Sequence, residues 1–451
     1  MNLFIFRRDF RTFDNRAFDL ATKNPTIPTI PIFIFNDIQT CKKLNAYRSP
    51  RALSFMIEAL LELKLNLKEL TFYKCRDPED EIELLKRILN ETPSIKNIYF
   101  NADVTPFARA RDANTIAFAE KRGIKVIACT DEYSLVDPTT MEKPYRKFTP
   151  FYNKYISTLR LEPLKSSDKK FKRGPAVLDH ACTDADMREM CPDSIIDKNK
   201  RPRSEALEIL NRITDGSFDD YSTTRDDMGD SDGTTKLSHY IKFGCIGVRE
   251  VARTLPRDHG ILRELLWRSF YEQVAYHFPN VLKGQTSAED NKSLVVKFDN
   301  VKWLGGSTAS QRFDAFANGR TGFDLVDAAI MELLNTGRMH NRGRMLTASF
   351  LVKTLRLDWR LGEQFFARHL IDYDPCSNNG GWQWAAGGGA DSQMYTRIFS
   401  PYRQAEKHDP KGLYVNKWLA MRSRYEPIVD MKKEHALTKK AFYDAFFKND
   451  N

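Results

Sequence analysis

The chain has 451 residues and a mass of 52.2 kDa, with 41% hydrophobic and 12% aromatic content, more than one hydrophobic core accommodates; two globular domains are expected. No apolar run reaches the length of a membrane span, and Met1-Asn2-Leu3-Phe4-Ile5-Phe6-Arg7-Arg8 reads as a first strand closed by charge, not a signal peptide. A net charge of +10 points to a phosphate-bearing partner, while 7 cysteines, an odd count without Cys-x-x-Cys, argue against a disulfide framework or a zinc site.

Residues 1–130 alternate β-rich runs at 3–6, 29–35, 71–74, 97–100 and 125–128 with amphipathic helices. Three helices are announced by a cap residue followed by proline: Ser49-Pro50, Asp77-Pro78 and Thr105-Pro106. This order predicts an α/β domain built on a doubly wound parallel sheet, without a glycine-rich dinucleotide fingerprint. Residues 131–200, with Lys165-Ser166-Ser167-Asp168-Lys169-Lys170, read as a long connector wrapping that domain. From 201 to 451 the helical period dominates, at 206–212, 237–243, 261–277, 323–336, 338–353 and 361–372, so the second domain is mostly α-helical.

Chemistry concentrates in the second domain. Thr234-Thr235-Lys236-Leu237-Ser238 carries hydroxyls and free N–H groups into a helix start, a setting suited to a pyrophosphate. Glu264, Trp267, Arg268 and Tyr271 fall at i, i+3, i+4 and i+7, on one helix face. Acid, indole and guanidinium together are unusual for simple core packing. Asn341, Arg344 and Met345 share another face, and between Arg338 and Arg360 the basic residues Arg338, Arg342, Arg344, Lys353, Arg356 and Arg360 meet one acid, Asp358. Asp372 and Asp374 are expected at a helix end, where the helix dipole disfavours anions and partners are needed. Of only 6 tryptophans, Trp359, Trp382 and Trp384 fall within one short stretch.

Met339-His340-Asn341-Arg342-Gly343-Arg344-Met345, Asp358-Trp359 and Asn378-Asn379-Gly380-Gly381-Trp382-Gln383-Trp384-Ala385-Ala386 together resemble the flavin-binding core of the DNA photolyase/cryptochrome family. The resemblance implies a helical FAD- and DNA-binding domain over 201–451. Tyr221 and residues 234–238 would hold the flavin, with Lys236 where the family has arginine. Arg268, Arg344, Asp372 and Asp374 would complete the cofactor site, Arg344 pairing with Asp372, and Asn378, placed in a loop, would face the flavin N5. Glu264, Asn341 and Met345 would act on the substrate. Glu264 is expected to be buried against Trp267 and to donate as a protonated acid. Trp382, Trp359 and Trp303 resemble the family's electron-transfer chain. Trp267, whose indole would stack on the bases, and Arg342, Trp384, Arg397 and Gln404 would meet DNA.

Within the family, Asn341 and Met345 stand where enzymes for (6-4) photoproducts have histidines, and Met345 where the single-strand-specific branch has glutamine; Gly343 leans toward that last branch. The resemblance therefore implies light-driven splitting of cyclobutane pyrimidine dimers in double-stranded DNA by a class I enzyme. A cryptochrome-type light receptor, a (6-4) enzyme or a single-strand-specific enzyme are the alternatives. A monomer inside the cell, wherever DNA is accessible, is expected. Thr105-Pro106-Phe107-Ala108-Arg109 lacks the Asn-Glu pair of folate-binding members, which leaves a flavin-type antenna or none.

Overall fold

The computed structural model describes residues 1–161, 171–175, 181–191, 197, 199–284, 290–391, 398–420, 422 and 424–448. Five strands, β1 (Asn2–Phe6), β2 (Thr29–Asn36), β3 (Thr71–Cys75), β4 (Asn97–Asn101) and β5 (Lys125–Cys129), form one parallel sheet in the order β3-β2-β1-β4-β5. β1 at its centre is buried throughout, as a parallel strand covered on both faces must be. Its side chains alternate between two cores. Leu3 and Ile5 pack with the Pro78–Glu91 helix, whereas Phe4 and Phe6 join Phe33, Phe35 and Phe72 in a core that extends to Leu237, Tyr240, Ile261 and Leu265 of the helical half. One face of the sheet is thus the floor on which the second domain is built.

The proline-capped helices form at Pro50–Leu67, Pro78–Glu91 and Pro106–Glu120. The Ser49 and Asp77 side chains accept from the amides of Ala52 and Asp80. Thr105 makes no such bond; Asp103 Oδ1 accepts from the amides of Val104 and Thr105 just before the helix. The expected connector touches the sheet domain at Thr29, whose amide donates to the Lys172 carbonyl at 2.9 Å. Its Phe148–Thr158 helix instead packs on the long Gly260–His277 helix of the second half. Residues 165–170 lie outside the described residues.

Two helix boundaries differ from expectation and matter for the site. The helix expected over 338–353 starts at Asn341, with the His340 ring accepting from the Arg342 amide as N-cap, and its last turn widens into a π-helix over Phe350–Thr354. The helix expected to reach Asp372 ends at His369, and Asp374 opens the next one, Pro375–Ala386. No helix among the described residues is long and apolar enough to cross a membrane.

Candidate active site

A cavity of about 750 Å³ opens between the 234–238 segment and the helices that begin at Gly260, Asn341 and Pro375. That volume lies in the upper part of the small-ligand range. Tyr221 and Thr234, Thr235, Lys236, Leu237 and Ser238 line it. Lys236 sits at φ +54, a left-handed conformation costly for a non-glycine residue, and Leu237 caps the short Ser238–Lys242 helix without a side-chain bond. Local strain is therefore spent in presenting these amides and hydroxyls at the cavity wall.

Asp372 and Asp374 both line the cavity and are buried. Arg344 Nη2 donates to Asp372 Oδ2 at 2.8 Å, the pairing expected from the sequence. Burial pushes the Asp372 carboxyl up, but the Arg344 guanidinium outweighs it and leaves the group below the usual range. Asp374 corrects the expected dipole conflict: it is an N-cap, accepting from the Ser377 amide at 3.0 Å at the favourable end of a helix. Arg268 Nη2 donates to Asp374 Oδ2 at 3.0 Å and lies 3.1 Å from Glu272 Oε1, so it stands in a carboxylate cluster at the cavity wall. Asn378 lies inside that helix, not in a loop. Its Nδ2 donates to the Glu363 carbonyl at 3.1 Å, while the buried Glu363 carboxyl takes hydrogen bonds from Asn379 and Asn291. Burial pushes Glu363 up to about 7.

Glu264, Trp267, Asn341, Arg342, Met345 and Trp384 line the same cavity. Glu264 is neither buried nor a lone donor. Its side chain is 37% exposed and its Oε1 accepts a short hydrogen bond from Arg225 Nη1, so the carboxylate acts as an acceptor. Trp267 is stacked on Phe148, with ring centroids 3.6 Å apart and planes at 8°, which leaves one indole face for any ligand. Arg342, expected to meet DNA, is paired within the protein. Its Nε and Nη2 grip Asp226 at 2.8 and 2.5 Å in a bidentate pair. Asn341 is exposed, its amide 3.7 Å from the Met345 sulfur.

Trp382 lines the cavity at 2% exposure, and Trp359 at 0% and the partly buried Trp303 share its hydrophobic core without lining the cavity. Gln404, on the Pro401–His408 helix, does not line the cavity, and Arg397 lies outside the described residues. Sequence reasoning missed Arg225, Asp226, Phe148 and Glu363. The first two directly follow the helix of Tyr221, but nothing in a linear pattern announces partners 39 and 116 residues away.

Family models match both halves of the chain: one described as DNA photolyase over residues 2–169, and one described as the FAD binding domain of DNA photolyase over residues 261–443. The deoxyribodipyrimidine photo-lyase of Escherichia coli K12 is 31% identical over 443 residues, covering 92% of this chain and 88% of that protein. An archaeal photolyase from Sulfolobus tokodaii, solved with two FAD molecules, superposes with a TM-score of 0.84 at 31% identity, covering 98% of this chain and 100% of that one. A Synechocystis cryptochrome shares the fold, with a TM-score of 0.83 at 24% identity over 98% of this chain and 99% of its own.

The cavity wall fits FAD. Trp382 Nε1 and His340 Nε2 are buried without a hydrogen-bond partner among the described residues. His340 Nδ1 accepts from the Arg342 amide, which places the ring proton on Nε2, and burial holds the imidazole down at about 4 and hence neutral. Both residues line the cavity, and a buried donor left without a partner costs roughly 1–3 kcal/mol.

Proposed function

We propose that this chain, which belongs to the DNA photolyase family and is a light-dependent, FAD-binding DNA-repair enzyme, acts on the cyclobutane pyrimidine dimer, taken up flipped out of duplex DNA. The observation that carries this reading is one continuous cavity lined both by Asp372, Asp374, Asn378 and the 234–238 segment and by Glu264, Trp267, Asn341 and Met345. A dimer already stacks poorly, which lowers the cost of extruding it. All of these residues come from one chain, so a monomer suffices.

Splitting breaks the two C–C bonds that join the pyrimidines and restores a C=C bond in each, with no net redox change. FAD, when bound, supplies the light-driven electron that the reaction borrows and returns. The protein's own groups hold and orient the dimer. The open face of Trp267 stacks on it, and Met345 and Asn341 provide a polarisable surface and an amide that both donates and accepts. Glu264 and Arg225 work as a unit: the carboxylate accepts from a pyrimidine N–H, and the guanidinium donates to a carbonyl oxygen as negative charge develops. Trp382, Trp359 and Trp303 would carry electrons inward from the surface to restore the reduced flavin, and Asn378, held by the Glu363 carbonyl, would sit at the reacting flavin edge.

The test is blue-light repair of three substrates by fully reduced protein: a duplex with one thymine dimer, a duplex with one (6-4) photoproduct, and the single-stranded dimer. Repair of the first is expected. Repair confined to the (6-4) duplex, or to single strands, overturns the substrate assignment. Repair of none of them moves the chain to a light-receptor role.

A further inference from the structure

At the boundary between the sheet and the cofactor cavity lies a largely buried cluster of six charged side chains drawn from both halves of the chain. Arg8, just beyond β1, donates through Nε to Asp103 in a short hydrogen bond, lies 3.3 Å from Glu272 Oε1, and places Nη1 3.6 Å from Asp374 Oδ2. Arg268 reaches the same oxygens, Asp374 Oδ2 at 3.0 Å and Glu272 Oε1 at 3.1 Å. Lys242 is the third cation, acting on Asp374 and Asp103. The Arg8 guanidinium lies 4.1 Å from the centroid of the Tyr133 ring, which covers it from the sheet side.

Strand parity explains why Arg8 arrives there. Leu3 and Ile5 face the core of the Pro78–Glu91 helix, and Arg7 continues that face, pairing with Glu81 and Asp112. Phe4 and Phe6 face the helical half, and Arg8 continues that face toward Glu272 and Asp374. We propose that Arg8 is a positioning residue for the cofactor site, holding Asp374 and Arg268 at the cavity wall, with its charge balanced against Glu272. Asp374 and Arg268 line the cavity; Arg8 does not, and acts on the flavin through them.

The balance is close. With every group ionised, Arg8, Arg268 and Lys242 face Asp103, Glu272 and Asp374, three charges of each sign. Glu272 is the weak member. It is 1% exposed, its Oε2 has no hydrogen-bond partner among the described residues, and burial pushes it up to about 7 against the opposing pull of Arg268 and Arg8, with Asp374 and Asp103 adding to the rise. The Cys376 thiol also feels its charge. Removing Arg8 leaves two cations with three anions, and the surplus negative charge bears on Asp374 and on Glu272, which then takes a proton more readily as pH falls.

The experiment measures flavin dissociation by the fluorescence of released FAD in wild type, Arg8→Gln, Glu272→Gln, the double variant and Arg8→Lys. Arg8→Gln is expected to weaken flavin retention tenfold or more at pH 8, and less at pH 6 where Glu272 is protonated. Glu272→Gln added to Arg8→Gln restores two charges of each sign and is expected to recover most of the loss. Arg8→Lys, which keeps the charge but loses the fork, is expected to fall between wild type and Arg8→Gln. If Arg8→Gln does not fold, Arg8→Lys with and without Glu272→Gln reads the same balance, the added substitution then weakening retention by creating a positive surplus. Wild-type retention in Arg8→Gln, or a double variant no better than the single, overturns the proposal. The inference rests on flavin in this cavity, and a wild-type protein that binds no FAD would remove that premise instead.

Discussion

Gly362 is the residue whose change gives the sharpest readout of how Trp382 is held. It lies inside the Trp359–His369 helix, where glycine costs about 1 kcal/mol relative to alanine, so Gly362→Ala considered locally should stabilise the protein. The packing predicts the reverse. A Cβ at 362 would lie 2.1 Å from Trp382 Cη2 and 2.3 Å from Cζ3, against a normal carbon–carbon contact of roughly 3.5–4.0 Å. The indole would have to retreat by more than an ångström from a site where it is 2% exposed and packed edge-on to Phe366 at 4.8 Å. Forcing such a shift in a close-packed core costs about 1–3 kcal/mol, so after the helix gain the net effect is a loss of about 0–2 kcal/mol. Because Trp382 lines the cofactor cavity, its displacement should also slow photoreduction of bound FAD in blue light with a thiol donor. Thermal unfolding and photoreduction are to be compared in Gly362→Ala and in Gly362→Ala with Trp382→Leu, where the smaller side chain makes room. Alanine should then become stabilising by about 1 kcal/mol. A single variant already more stable than wild type, with unchanged photoreduction, would refute this account of the contact.

Three further outcomes are expected. Trp382→Phe should slow photoreduction severely while repair by chemically reduced enzyme persists; equal photoreduction would remove Trp382 from the electron path. Asp226→Asn should release Arg342 from its bidentate pair and steepen the log–log salt dependence of DNA binding by about 0.9 if the freed guanidinium meets one phosphate, measured as affinity at several salt concentrations. Burial pushes the Asp374 carboxyl up, but Arg268, Lys242 and Arg8 outweigh it and hold the group far below its ordinary 3.8. Its stabilising contribution is therefore present above that value and lost as pH falls through the lower folded one. Asp374→Asn should lower the thermal midpoint at neutral pH and shrink the gap from wild type in strong acid; a difference independent of pH would contradict the sign.

Much of this was legible because the relevant signals are local. The strands are short β-rich runs, β1 and β2 buried throughout, and all five are found within a residue of where the β-rich segments end. Ser49-Pro50 and Asp77-Pro78 mark true caps because oxygen and proline each satisfy a constraint at a helix start. Asp374-Pro375 is the same signal, and reading it that way would have placed Asp374 at a helix N-terminus and Asn378 on the helix. The Arg344–Asp372 pair could be anticipated only through family resemblance, since 28 residues separate its members. The start at Asn341 was obscured because a histidine ring caps it, a role usually read from Ser, Thr, Asp or Asn.

What was least legible is the charge pairing that sets the chemistry of the cavity. Glu264 reads from its helix face as an acid beside an indole, and the family resemblance adds the expectation of a buried proton donor. The fold brings Arg225 to it and Asp226 to Arg342, so two neighbouring residues of one short loop occupy both groups assigned to substrate contact. A guanidinium next to the carboxylate changes what the site offers, because Arg225 is then the donor of the pair and Glu264 the acceptor. On the proposed reading, release of the Arg342–Asp226 pair is part of substrate uptake: whatever Arg342 gains from a phosphate is reduced by the cost of leaving Asp226, a cost that nonspecific DNA meets as well as damaged DNA. An extruded dimer that engages Glu264 and Arg225 together offsets that cost, whereas undamaged duplex does not. Discrimination between damaged and intact DNA can thus arise from the exchange of internal ion pairs as well as from the shape of the cavity.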